Sequence, residues 1–192
     1  MGTGVIKSER LDLIPMTPAF LEACLAGDTS ASSVQGLAAA AQLLKLAIPT
    51  EWLEQKRLMQ IRLGQLRRDP RLQPWLLRAM GLRREGVMIG HIGFHSRPGA
   101  DYLRDFAPGG VELGYTVFAP YRRQGYATEA CEALMAWAHQ EHHVTRFVVS
   151  ISPDNRPSLR IAEHFGFQKV GTYLDDEDGP EDVFVRNIKT RL

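Results

Sequence analysis

One stretch, VELGYTVFAPYRRQGYATEA at positions 111–130, limits what this chain can fold into more than any other. Residues 111–117 read as a strand, and Pro120 ends the extended run. Arg122, Arg123, Gln124 and Gly125 then lead into an alanine-rich segment. Its apolar residues Ala127, Ala130, Cys131, Leu134 and Ala138 recur at helical spacing. A strand, a basic glycine-containing turn and a helix therefore follow one another. The first N–H groups of a helix have no intrahelical partner, and the macrodipole adds about half a positive charge there. Such a turn is an anion site, and a phosphate-bearing ligand suits it.

The rest of the chain must supply a body for that unit. Its 192 residues suffice for one domain with a full core, expected over 1–192. A formal charge of +1 gives no reason to expect a nucleic-acid partner. Cys24 and Cys131 lack metal spacing and read as reduced thiols in preference to a disulfide. The six histidines show no metal spacing either and read as helix-end and surface residues, so no metal is expected. No apolar run approaches the roughly 20 residues of a membrane span, and the first residues hold no signal-peptide core. A cytoplasmic protein away from membranes, monomeric or homodimeric, is the expectation.

Along the chain, residues 10–15 alternate as a first strand, and Thr17 is placed to cap a helix that has Pro18 at its first position. Residues 27–36 read as a loop and 37–48 as a second short helix. Thr50 is the expected cap of one helix carrying Trp52, Met59, Leu63 and Leu66 on one face and stopping before Asp69 and Pro70. Runs at 74–80 and 87–95 read as a hairpin, and 97–110 as a loop. Residues 146–151, RFVVSI, form a continuous apolar run that suits a buried strand parallel to 111–117. Asn155 begins a helix that ends near Gly166, and strands at 167–174 and 183–188 flank an acidic loop at 175–182.

The turn is neither GxxxxGK followed by Ser or Thr, nor GxGxxG. It is Arg122-x-x-Gly125-x-Ala127, in which small residues let backbone amides approach an anion closely. A second segment follows at Asn155-x-x-Ser158, with Glu163 and then HFGF ending at Phe167. With ERLDL, IGHIGF, ELGY and NRPS, these residues spread from Glu9 to about Ile188. On them the chain resembles the GNAT superfamily of N-acetyltransferases, and within it the ribosomal-protein N-terminal acetyltransferase branch of RimJ/RimL type.

The resemblance implies an α/β (α+β) fold with a mixed, mostly antiparallel sheet of about six to seven strands and helices on both faces. In that family the sheet splays between its fourth and fifth strands, here 111–117 and 146–151. It also implies acetyl-CoA as the acetyl donor. The amides of Gln124, Gly125, Tyr126, Ala127 and Thr128 would hold the pyrophosphate. Arg122 and Arg123 would face the pyrophosphate or the 3′-phosphate. The strand edge at Tyr115, Val117 and Phe118 would pair with the pantetheine arm, and Asn155 would hydrogen-bond it.

An amine must lose a proton to attack a thioester, and Glu112 on the 111–117 strand is the candidate base. Its alternative role is a surface carboxylate paired with an arginine. A strand amide near 115–117 could stabilise the oxyanion. Many family members carry a tyrosine seven residues after the Asn, where this chain has Ala162. Ser158 stands in as candidate acid, or else belongs to the first turn of its helix; Tyr126 and Tyr173 are weaker candidates. The acidic loop either attracts a cationic acceptor or is a solvated turn. The function implied is acetyl transfer to a primary amine, a protein or peptide N-terminus or a small molecule. The alternative is a CoA-binding module without chemistry, and the missing Lys-Ser/Thr pair disfavours a nucleotide-phosphate enzyme.

Overall fold

The computed structural model describes residues 4–26, 41–175 and 179–188. The chain forms two compact units, Met1–Gly93 with Tyr115–Leu134, and Phe94–Gly114 with Met135–Leu192. Among the described residues there are eight strands, and only one neighbouring pair is parallel. The mixed, mostly antiparallel α/β architecture is as expected. The strand beyond the expected seven is the two-residue β1 (Ile6–Lys7), too short to carry a pattern.

In the first unit β1 pairs antiparallel with β2 (Leu11–Pro15), and β2 with β3 (Arg78–Leu82). β3 pairs with β4 (Val87–Phe94) across a turn, with a register shift between Met80 and Gly81. β3 starts later than the expected 74, because residues 70–76 coil in tight turns: Pro70–Leu72 is a 3₁₀ turn, and the Trp75 and Leu76 amides both bond Leu72 O. Helix α1 (Pro18–Ala26) begins as its sequence dictates, with the Phe20 amide donating to Thr17 Oγ1 at 3.2 Å. Of the helix expected over 37–48, residues 41–44 are helical and 37–40 lie outside the described residues, as does the 27–36 loop.

The single helix expected from Thr50 is two, α2 (Thr50–Leu53) and α3 (Lys56–Arg68). No proline or glycine marks the break, and Pro49, not Thr50, holds the cap position. The expected face is nevertheless buried: Trp52, Met59, Leu63 and Leu66 join Phe20, Leu21, Cys24, Met88 and Phe118 in one core. The Trp52 ring stacks on Phe20 at 6.2 Å and meets His91 edge-on at 5.3 Å, and its N–H donates to Cys24 Sγ.

In the second unit β6 (Arg146–Ile151) pairs antiparallel with β8 (Gly179–Asn187), and β8 with β7 (Gln168–Asp175). Phe147 stacks on Phe94 at 6.3 Å. Leu103, Ala107, Val148, Val183 and Val185 form a second core cluster. The last two strands run further than expected, so Glu181 and Asp182 belong to β8 and not to an acidic loop. Both are engaged: Glu181 accepts from the Tyr173 hydroxyl at 2.8 Å, and Asp182 faces Thr172 and Lys169. Residues 176–178 lie outside the described residues.

Strand β5 (Val111–Val117) has its first four residues in the second unit and its last three in the first. Its parallel ladder with β6 holds only Val111↔Phe147 and Glu112↔Val148, although β6 continues to Ile151. Burial follows the ladder: Val111, Glu112 and Leu113 are buried, and residues 114–117 are part-exposed. Both cysteines are free and buried.

Candidate active site

The turn after β5 is shaped by two residues in the left-handed region, Arg123 (φ 61°) and Gly125 (φ 82°). Successive turns of this kind gather N–H groups into an anion-binding concavity. Helix α4 (Tyr126–His142) starts at once, and its first hydrogen bond here is Glu129 N to Gly125 O at 3.0 Å. The amides that precede Glu129 are therefore those a helix N-terminus leaves for a ligand. Arg122, Arg123, Gln124 and Gly125 are exposed, Ala127 and Thr128 part-exposed. Arg122 folds back, its Nε donating to Val117 O at 2.9 Å. The Tyr126 ring is buried, so this residue offers its amide.

Arg10, which the sequence reading gives no site role, braces this turn. Its Nη1 donates to Gln124 O at 3.0 Å, and its guanidinium carbon lies 4.3 Å from the Tyr126 ring centroid. Its backbone N and Nε both donate to the Glu129 carboxylate at 2.6 Å, which also accepts from Ser8 Oγ at 2.6 Å. Burial pushes the Glu129 carboxyl up, but the bonds from Ser8 and Arg10 outweigh it and hold the group below its usual range. A cavity of about 550 Å³ adjoins the brace, lined by Arg10, Arg83, Arg84, Gln124 and Tyr126 among others. A basic residue leading a strand gives no sign of a partner more than a hundred positions away, so sequence reasoning had no local signal for Arg10.

The second unit holds Glu112, the candidate base. Glu112 is no surface carboxylate: it is 4% exposed. Ser150 Oγ donates to its Oε1 at 2.5 Å, and His95 Nδ1 lies 3.3 Å from its Oε2. Burial raises the Glu112 carboxyl, yet the hydrogen bond and charge of His95, then bonds from Ser150 and Tyr102, bring it net below its usual range. His95 continues the β4 register, its amide donating to Glu112 O at 2.9 Å. Its ring occupies the space over Gly114, where an added Cβ would lie 2.7 Å from Nε2. From sequence His95 reads as a lone histidine at the end of the 87–95 run, and its pairing with β5 leaves no local signal there. Tyr173, a weaker acid candidate, donates to Glu181, and burial first and Glu181 second push its hydroxyl above its usual range.

Along β5, the bonds His95 N to Glu112 O and Phe118 N to Ile89 O lie six residues apart. Alternation then turns the amides of Leu113, Tyr115 and Val117 to the opposite edge, where the ladder with β6 ends after Glu112. Phe118 departs from the expected edge role: its side chain is in the core and its N–H is committed to Ile89. Asn155 caps helix α5 (Arg156–His164), its Oδ1 accepting from Ser158 N at 3.2 Å. Ser158 thus sits in the first turn, part-exposed, and Ala162 is buried. Among the described residues no group of His, Cys, Asp and Glu could hold a metal, and no helix is long and apolar enough to cross a membrane.

Residues 10–168 match the model of the acetyltransferase (GNAT) domain. The chain belongs to the GNAT acetyltransferase family. The GNAT match reaches from Arg10 through the β5 turn to the start of β7. An uncharacterised N-acetyltransferase of Bacillus subtilis (strain 168), YnaD, is 29% identical over 92 residues, 48% of this chain and 49% of that protein. The chain spans about half the length of the curated relatives it matches. Among solved structures, a GNAT-family acetyltransferase of Bordetella pertussis superposes with a TM-score of 0.67 at 22% identity, covering 95% of this chain and 99% of the other. RimL, the ribosomal L7/L12 alpha-N-protein acetyltransferase solved with coenzyme A, superposes with a TM-score of 0.62 at 16% identity, covering 96% and 98%. At these identities the superpositions establish the fold.

Proposed function

We propose that this protein is an acetyl-CoA-dependent N-acetyltransferase, one domain over 1–192 that works in the cytoplasm by direct attack of a primary amine on the thioester. The observation that carries the reading is the turn at 122–128, where two left-handed residues and a helix start present consecutive amides, backed by Arg10. That cradle fits a pyrophosphate and has no lysine of the kind a nucleoside triphosphate needs. The similarity to proteins named N-acetyltransferases and to RimL with coenzyme A supports the choice of donor.

Acetyl-CoA brings an acyl group already activated as a thioester. The amides of Gln124, Gly125, Tyr126, Ala127 and Thr128 hold the phosphates, with Arg122 and Arg123 adding charge. Tyr115 and Val117 present the β5 edge to the pantetheine arm. A β5 amide at this edge stabilises the oxyanion as charge develops on the carbonyl. Asn155 keeps its amide nitrogen for the arm while its oxygen caps α5. Glu112 serves the removal of the proton from the amine, and Ser158 offers a hydroxyl to the leaving thiolate. The acceptor is a protein or peptide N-terminus, the class named for RimL, or a small-molecule amine.

Buried Ala162, where many family members have a tyrosine, favours one other reading, a CoA-binding module without turnover. Thiol release from acetyl-CoA across a panel of peptide N-termini and small amines separates the two. Release with at least one amine is expected. Binding of CoA without release from any acceptor favours the module, and thermal protection by ATP but not by CoA overturns both.

A further inference from the structure

The buried carboxylate and the exposed imidazole at the start of β5 form a directed pair. Glu112 has a side chain only 5% exposed, and one of its oxygens is taken by Ser150. An acceptor amine cannot reach that carboxylate without displacing the groups packed on it. His95, 3.3 Å from the other oxygen, has a side chain 40% exposed. A carboxylate beside Nδ1 selects the tautomer that carries the hydrogen on Nδ1, which leaves Nε2 as the basic nitrogen. Nε2 is held over Gly114, and a side chain there would displace the ring. The backbone bond from His95 N to Glu112 O fixes the register that makes the pair meet. We infer that His95 Nε2 is the atom that takes the proton from the attacking amine, with Glu112 as the positioning residue behind it.

The inference rests on the N-acetyltransferase reading and completes its chemistry. The amine nitrogen bonds to the carbonyl carbon, and the bond from that carbon to sulfur breaks. The amine proton goes to Nε2, making an imidazolium opposite the Glu112 carboxylate. It then leaves for the thiolate or for water, so the products are an amide and a thiol and no further reactant is needed. A buried carboxylate acting through an exposed imidazole keeps its charge throughout. The titratable groups around the pair are Tyr102, bonded to Glu112, and Tyr173 with Glu181, which reach it through Ser150.

The test uses the full chain, its His95→Gln and His95→Asn variants, and Glu112→Gln. Nitrogen-15 NMR of the ring reports the tautomer without any ligand, and calorimetry reports CoA affinity. The Nδ1–H tautomer is expected in the wild type and its loss in Glu112→Gln. Both His95 variants should bind CoA within about twofold of wild type, melt within a few degrees of it, and lose roughly a hundredfold or more in kcat/KM near neutral pH. That deficit should shrink at high pH, where the amine is deprotonated in solution, and the acid limb of the rate profile should vanish. A purely structural His95 would leave the acid limb of the rate profile where it is in the wild type. An Nε2–H tautomer in the wild type, or either variant turning over with the wild-type pH profile, overturns the inference while leaving the transferase reading intact. No thiol release by the wild type with any amine overturns that reading and the role of His95 with it.

Discussion

Replacing His91 by leucine should remove most of what this imidazole takes from stability on acidification. The ring is 6% exposed, set edge-on against Trp52 at 5.3 Å and Phe118 at 6.4 Å. Its Nε2 has no hydrogen-bond partner among the described residues. Burial first, then the charge of Arg62, lowers its pKa from the ordinary 6.5 to about 4. In the unfolded chain the imidazole takes up a proton near 6.5, in the fold only near 4. Between those values the unfolded state binds more protons, so stability is complete above the upper one and falls as pH falls toward the lower. The ratio of the two proton-binding terms gives a loss of about 2 kcal/mol at about pH 5 and under about 0.1 kcal/mol at about pH 7.5. Leucine forfeits two ring-edge contacts, each worth about 0.5–1.5 kcal/mol, but that offset is the same at every pH. Urea unfolding of both proteins across this range is the assay. The variant should gain about 2 kcal/mol on the wild type between the two ends. Parallel stability profiles would refute the reasoning, because they would mean that His91 titrates alike in the folded and unfolded chains.

Gly125→Ala forces an L side chain into a φ of 82° with its Cβ 3.3 Å from the Arg10 guanidinium, so it should cost about 1–2 kcal/mol and weaken CoA at least several-fold by calorimetry. Unchanged affinity would detach the turn's conformation from binding. Asn155→Ala removes the α5 cap and should cost about 1 kcal/mol in urea unfolding. Ser158→Ala keeps the backbone N–H that the cap uses, so its stability should stay within about 0.5 kcal/mol of wild type while turnover falls. Wild-type turnover in this variant would return Ser158 to the helix turn alone.

What could be read from sequence was local. The 111–130 unit, the Thr17 and Asn155 caps and the end of α5 at Gly166 (φ 73°) each follow from residues within a few positions of one another. The second segment at 155–167 added the family, which no short pattern could. The pairings that give the site its shape were not legible. Arg10 reaches Glu129, and Glu112 meets His95 and Ser150, only after strands distant in sequence come into register. Glu112 was found as a residue and missed as an environment, since its burial depends on neighbours from three other segments. The break between α2 and α3 had no breaker to announce it, and the length of β8 was hidden by its acidic start, whose charges are satisfied across the hairpin by Lys169, Thr172 and Tyr173.

The brace between Arg10 and Glu129 joins residues 119 apart in the chain through two donors on one carboxylate, and Ser8 Oγ adds a third. Ordering a loop around a ligand costs conformational entropy at the moment of binding. Here that ordering belongs to folding instead, because Ser8 and Arg10 bond Glu129 and Gln124 within the fold itself. On the proposed reading the cradle is preorganised, and Ser8 and Arg10 would share in donor recognition with the turn at 122–128. The residues just before β2 thus serve as a scaffold element, and a change there would alter recognition while touching no ligand atom.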